Sequence, residues 1–418
     1  MISIPCSKGY KFEIEANTAI QLSFEVDDPK YVDQIIKNLK KRVIGLYLHT
    51  DDDNNRVIFT ENEPPIIKLD DKGDITNTTI NFAHNNVLDH RERFAKIGYN
   101  DKYVILNVSH AVSDGGYFKQ IVNHILSNER EETARIESYF PHEVEEIFYE
   151  RLKNAPNDVL FWESNPFVNR VKTNDRNKLF SSKEVKYCSM TIPAKKLRSY
   201  NILNGRLNRF TESMWLSLFV SHIVSFKNSV NGIPSKICIP TCTDFRQYLN
   251  TRPSYSVCSC YSTVFPCADV SPNKSLSEIG KMMKNDLKRR MDRGEDFGFI
   301  KTINNLENST AESYDGVGLE LTYVGQYNIK KPIKDVFCNL AMDGSMTDKI
   351  LSLMGFSVVD KASGRNDVTL RLRYVPSTLH QEEVSKMAKS VEYFLKEIPL
   401  NISVNEAVKA IEEFQKKL

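Results

Sequence analysis

Apolar and polar positions alternate along this chain in stretches of two distinct periods. Period-two runs predict strands and period-3.6 runs predict helices. Residues 18–26 predict a strand, and Pro29 then opens a helix with Val32, Ile35, Ile36 and Leu39 on one face. Strand-like pieces follow at 43–49 and 56–60, joined by the acidic turn 51–55. Residues 70–77 predict a loop, and 80–83 a short strand. The apolar run 103–108 predicts a buried strand. Directly after it Phe118, Ile121, Val122, Ile125 and Leu126 form an amphipathic helical stripe. A helix is expected near 142–152.

The weakly patterned polar region 165–182 then suggests a crossover. Beyond it a strand is expected at 185–192, and a helix starting at Thr211 and Glu212 carries Met214, Trp215, Leu218, Phe219 and Ile223. Residues 255–265 and 318–325 predict strands. Ser275 and Glu278 form a capping box for a helix with Ile279, Met282, Met283 and Leu287 inward. Val368, Leu370, Leu372 and Tyr374 alternate with Thr369, Arg371 and Arg373, which predicts a half-exposed strand. Thr378 and Gln381 are expected to cap a helix buried through Val384, Met387, Ala388, Val391, Phe394 and Leu395, and an amphipathic helix is expected over 404–417.

The abrupt strand-to-helix switch contains Asn107-Val-Ser-His-Ala-Val-Ser-Asp-Gly-Gly116. It sets His110 at a strand end, where an imidazole can project into a cleft as a general base. Asp114 occupies the N-cap position of the helix, and Gly115 and Gly116 permit close backbone approach. A second segment, Lys236-Ile-Cys-Ile-Pro-Thr-Cys-Thr-Asp-Phe-Arg-Gln-Tyr-Leu249, runs from a strand through a turn to Arg246. The spacing His-x-x-x-Asp-Gly in this setting, with the later arginine, resembles the acyltransferase superfamily of chloramphenicol acetyltransferase. That group includes plant BAHD acyltransferases, alcohol acetyltransferases and the condensation domains of peptide synthetases.

The resemblance covers nearly the whole chain as an order of elements and about ten positions as specific residues. It implies an α/β fold of two chloramphenicol acetyltransferase-like lobes, each a mixed β-sheet with flanking helices, and an active-site tunnel between them. The lobes are expected at 1–165 and 183–418, with 166–182 as crossover. The resemblance also implies roles. His110 would be the base that deprotonates a hydroxyl or amine acceptor during attack on an acyl-CoA thioester, the acyl group being acetyl. Asp114 and Arg246 would form a structural, bidentate, charge-assisted pair, with Gly115 in the same loop. Thr322, Tyr323 and Gly325 stand where the superfamily supplies an oxyanion donor, although of the Ser-Asn-x-Gly stretch of alcohol acetyltransferases only the glycine is kept. Thr322 and Tyr323 read equally well as ordinary strand residues. Lys284, Lys288 and Arg289 are candidates for CoA phosphates, with a solvated helix face as the alternative. Acyl-CoA would be a co-substrate, and no permanently bound cofactor or metal is expected. Two other readings stay open: a catalytically degenerate binding protein, and a condensation-like enzyme that takes its acyl group from a carrier-protein thioester.

Composition narrows the partners. The 418 residues carry a formal charge of +2, so neither nucleic acid nor a charged membrane surface is implied. The eight cysteines are too sparse for a disulfide scaffold, and neither Cys258-x-Cys260 nor Cys238 to Cys242 has zinc spacing. Free thiols suit a reducing compartment. With no signal-peptide or transmembrane pattern at the start or elsewhere, a cytoplasmic monomer is expected, acting on a small-molecule acceptor.

Overall fold

Two large sheets organise the chain in a computed structural model that describes residues 2–70, 73–126, 138–172, 185–227, 232–250, 253–305, 313–341 and 349–418. The first sheet runs Ile333–Ala341, Ala19–Val26, Tyr103–Ser109, Ala95–Tyr99, Ile66–Lys68, antiparallel except for its last pair. The second runs Tyr261–Val264, Thr241–Asp244, Val317–Ile329, Ile350–Asp360, Arg365–Tyr374, Lys186–Pro193, with Arg170–Val171 also paired to Val317–Ile329. Val317–Ile329 and Ile350–Asp360 are parallel neighbours. Between them the chain contributes Ile333–Ala341 to the edge of the first sheet. The molecule is therefore a two-lobed mixed α/β fold whose lobes exchange a strand. Among the described residues, no helix is long and apolar enough to cross a membrane.

Each lobe has its own core. In the first, Leu22, Phe24, Val104 and Leu106 pack with Ile35, Leu39, Phe118 and Ile121 of the flanking helices. In the second, helix Phe210–Ser225 is buried on almost every side, against Gln381–Glu397, Val404–Gln415 and Leu276–Asp292. Such an all-round apolar helix reads as central rather than amphipathic. The capping box of Ser275 and Glu278 is present, and Ser403 and Glu406 form a second one.

Several expectations need correction. Residues 75–85 are a helix, Ile75–Asn85, capped by Asp74, in place of the expected loop and short strand. Its buried face contains threonines at helical spacing, Thr78 and Thr79 beside Ile75 and Phe82. The Thr79 hydroxyl lies 2.6 Å from that of Ser23, so a polar residue does the work of an apolar one there. Ile44–Tyr47 is a single 3-10 turn, and only Leu48–Thr50 of that stretch is a strand. The last large helix begins at Gln381 with His380 as N-cap. Thr378 instead donates its hydroxyl to the Val375 carbonyl at 2.9 Å.

Strand Arg365–Tyr374 is not half-exposed: Arg371 and Arg373 are 1% and 3% exposed. Its polar face is turned toward the other lobe. Arg371 stacks on Tyr187 and on Phe337 of the exchanged strand, at 4.2 and 4.8 Å from the ring centroids, and bonds Asn339. Alternation of period two marks two different faces, and the second face here is an interior boundary.

A buried histidine braces the motif strand. His90 Nε2 lies 2.9 Å from the Ser109 hydroxyl, and burial pulls its pKa down to about 4. The unfolded chain takes up that proton near pH 6.5. Between those values the unfolded state binds more protons, so stability falls as pH drops through this window. On going from pH 6.5 to 4.5, His90→Asn is expected to lose about 2–3 kcal/mol less than the wild type. Urea unfolding at both pH values checks this, and equal losses would refute it.

Candidate active site

The motif strand Tyr103–Ser109 ends in a 3-10 turn, His110–Val112, before helix Gly115–His124 begins. Ser109 makes the turn by accepting the Ala111 N–H, and the His110 N–H is tied to the Thr18 carbonyl at 2.8 Å. The half-buried imidazole leans on the ring of Tyr261, with centroids 4.5 Å apart and planes 34° apart. Tyr261 is fixed in turn, because its hydroxyl donates to Glu13 at 2.7 Å. Burial, then the Glu13 charge, holds that phenol protonated, well above its usual pKa. His110 Nδ1 is buried and meets no hydrogen-bond partner among the described residues. Among the described residues, no carboxylate orients the ring in the manner of a protease triad.

Asp114 faces the other way. One of its oxygens accepts the Tyr117 N–H at 2.7 Å and caps the helix, and the other accepts the Cys260 N–H at 2.6 Å. Arg246 reaches it from the second lobe. Sequence reasoning expected a two-pronged fork, and the geometry differs. Nη1 alone spans both Asp114 oxygens, at 2.8 and 2.9 Å, and also meets Asp244 at 3.2 Å. Nη2 donates to the carbonyls of Val257 and Cys258. This is why only Tyr261–Val264 of the expected strand 255–265 forms, since the backbone before it wraps the guanidinium. Burial pulls the Arg246 pKa down, but Asp114 and Asp244 outweigh it and leave it above its ordinary value.

Both motif glycines are tight. A Cβ on Gly115 would lie 2.8 Å from two methyls of Val324, across the lobe boundary. One on Gly116 would lie 2.5 Å from both Arg246 Nη1 and Asp244 Oδ2. Gly116→Ala must push the ion pair apart, with an expected cost of about 1–3 kcal/mol. Thermal unfolding reads the cost; an unshifted melting temperature would mean the ion pair moves freely.

His110 opens onto a cavity of about 400 Å³ between the lobes. Across it, strand Val317–Ile329 presents Glu320 and Thr322. Thr322 Oγ1 lies 3.1 Å from Cys242 Sγ, and burial pushes that thiol up to about 12, leaving it un-ionised. The strand bulges between Tyr323 and Gly325, where Gly325 has φ +99°, and this brings Val324 against Gly115. Tyr323 sends its hydroxyl to Ser357 at 2.6 Å. It lines both the His110 cavity and a second, more polar cleft that Lys284, Arg206, Arg209 and Gly325 also line. Of the other two basic residues singled out, Lys288 is exposed and Arg289 pairs with Asp286.

Glu320 and Tyr261 were not singled out from sequence. Glu320 is 7% exposed and takes a hydrogen bond from Ser352. Burial raises its pKa, and the nearby Arg373 and His110 pull in the opposite direction. Its one sequence signal is a carboxylate inside an otherwise buried strand. Tyr261 has no signal, because its role depends on a ring brought from the other lobe.

No protein-family model matches the sequence, and no curated protein matches it. Solved structures do share the fold. The epimerization domain from the third module of tyrocidine synthetase B is similar at a TM-score of 0.62 and 10% identity, over 99% of this chain and 98% of that one. Polyketide synthase associated protein 5 from Mycobacterium tuberculosis is similar at 0.62 and 10%, over 95% and 99%. A starter condensation domain of a rhizomide synthetase is similar at 0.58 and 10%, over 97% and 98%. The chain thus has the two-lobed fold of condensation domains and chloramphenicol acetyltransferase.

Proposed function

We propose that this chain transfers an acyl group from a thioester to a hydroxyl or amine, with His110 as general base. The observation that carries this reading is the imidazole itself. It sits at a strand end over an interlobe cavity, stacked on Tyr261, in a loop anchored across the lobes by Asp114 and Arg246. In the reaction His110 takes the acceptor proton as the acceptor oxygen or nitrogen attacks the thioester carbonyl, and then returns it to the departing thiolate. Thr322 is a hydroxyl on the opposite wall and would donate to the tetrahedral oxyanion. Burial holds the Cys242 thiol un-ionised, which supports direct transfer over an acyl-enzyme.

Glu320 adds an electrostatic part. When His110 becomes an imidazolium, a carboxylate across a cavity of low dielectric stabilises it. Glu320→Gln is expected to lower kcat about tenfold to a hundredfold with little change in KM. Steady-state kinetics decide the point, and an effect confined to KM would assign Glu320 to substrate binding.

The donor thioester is carried on a phosphopantetheine arm in either case considered, free acyl-CoA with an acetyl group or an acyl-carrier protein. None of the three expected phosphate ligands lines the His110 cavity, and Lys284 lines the second cleft instead, which favours the carrier-bound donor as the second reading. The test is thiol release from acyl-CoA esters of increasing length, with a panel of alcohols and amines as acceptors. A parallel arm uses the same acyl groups on a carrier protein. Acceptor-dependent release in either arm identifies the donor. Failure in both, with the protein folded, overturns acyl transfer and leaves a binding role.

A further inference from the structure

The small two-stranded sheet at the root of the Arg246 hairpin sets two cysteines face to face. Strand Lys236–Cys238 pairs antiparallel with Cys267–Asp269, and Cys238 lies directly opposite Cys267. Opposite residues in such a pair alternate between exchanging two backbone hydrogen bonds and exchanging none, and the second kind lies closer, at roughly 4.5 Å between Cα atoms. The Val270 N–H donates to the Ser235 carbonyl at 2.8 Å, which marks that pair as bonded. Counting along the register, Ile237 and Ala268 are bonded and Cys238 and Cys267 are not. The backbone agrees. The Cys238 N–H goes to Asn169 Oδ1 and the Cys267 N–H to Asp286, each at 2.8 Å.

A separation of roughly 4.5 Å lies within the Cα range that a disulfide spans, and both side chains leave the same face of the pair. The Cys267 thiol lies 3.3 Å from the Phe265 carbonyl, and both cysteines are free. Their surroundings differ. Cys238 is fully buried, whereas Cys267 is half-buried with the Arg290 guanidinium 3.9 Å from its sulfur. The neighbouring Cys238 thiol and then Arg290 outweigh burial and hold the Cys267 thiol below its usual pKa. Burial pushes every other cysteine upward. A thiol poised this way, beside a second cysteine, is the arrangement that oxidises selectively.

We propose that Cys238 and Cys267 are a reversible dithiol–disulfide site that responds to hydroperoxides. The Cys267 sulfur attacks the peroxide, the O–O bond breaks, and sulfenic acid forms with release of an alcohol or water. Cys238 then attacks that sulfur, gives up its proton, and expels the hydroxyl as water. Two thiols are oxidised and one peroxide is reduced. A dithiol reductant reverses the change by exchange through a mixed disulfide. The bond would clamp the root of the hairpin whose far end carries Asp244, Arg246 and Tyr261.

The site stands independently of the acyl-transfer reading, and its test needs no substrate. The full chain is reduced, freed of reductant, titrated with hydrogen peroxide while folded, alkylated, and mapped as peptides without reduction. The expected result is loss of two of the eight thiols together, a single joined peptide pair containing Cys238 and Cys267, and full recovery with dithiothreitol. Cys238→Ser should stop at a sulfenic acid on Cys267 that dimedone captures. A map in which Cys238 stays free while other thiols are consumed, or in which another pair joins, overturns the proposal. The wild-type map decides alone if the variant does not fold.

Discussion

His110→Ala is expected to lower kcat for acceptor-dependent thioester cleavage by about 10²–10⁴-fold, the usual contribution of a positioned general base. Folding should change little. The ring is half-buried, its backbone N–H bond to Thr18 is kept by alanine, and the lost contact is one tilted stack on Tyr261. The measurement is paired: turnover with the best acceptor, and thermal unfolding on the same preparation. A rate within a few-fold of wild type would remove His110 from the chemistry and return it to the status of a strand-end histidine. A collapse of both rate and stability would say that the ring is a packing element, and His110→Gln would then separate shape from proton transfer.

Arg246→Ala is expected to cost about 3–5 kcal/mol of stability, the range seen when one partner of a buried ion pair is removed. Side-chain exposure is 8% for Arg246 and 3% for Asp114, so solvent replaces little of what is lost. The Asp114 carboxylate would keep only the N–H groups of Tyr117 and Cys260, and the Val257 and Cys258 carbonyls would lose their donor. Activity should fall with melting temperature, because the loop that carries His110 is anchored through Asp114. Arg246→Lys restores a charge but not a second nitrogen for the carbonyls, so it should fall between alanine and wild type in both measurements. Activity lost at unchanged stability would instead put Arg246 in contact with substrate.

The sequence made some of this legible, for physical reasons. The strand-to-helix switch around His110 is local: a buried run, a turn and an amphipathic stripe follow one another within about two dozen residues. The Asp114–Arg246 contact is not local, and it was readable only through a resemblance that linked two distant segments. Even then the resemblance missed how the guanidinium is shared among Asp114, Asp244 and two carbonyls. Glu320 and Tyr261 escaped because their importance comes from what faces them across the cavity, which no periodicity encodes. Arg371 and Arg373 misled for a related reason, since a charged face that meets another lobe has the same pattern as one that meets water. The helix Ile75–Asn85 was hidden by buried threonines on its inner face, where Thr79 meets the Ser23 hydroxyl.

The strand Ile333–Ala341 limits how this molecule can be divided. It is made by the later part of the chain, yet it hydrogen-bonds along the whole length of Ala19–Val26 in the first sheet. A fragment truncated ahead of it would expose a long unpaired strand edge, the kind of template that recruits other chains. The lobes are therefore not interchangeable modules. A chimera that swaps donor or acceptor preference has to carry Ile333–Ala341 with the first sheet, or keep both halves from one parent.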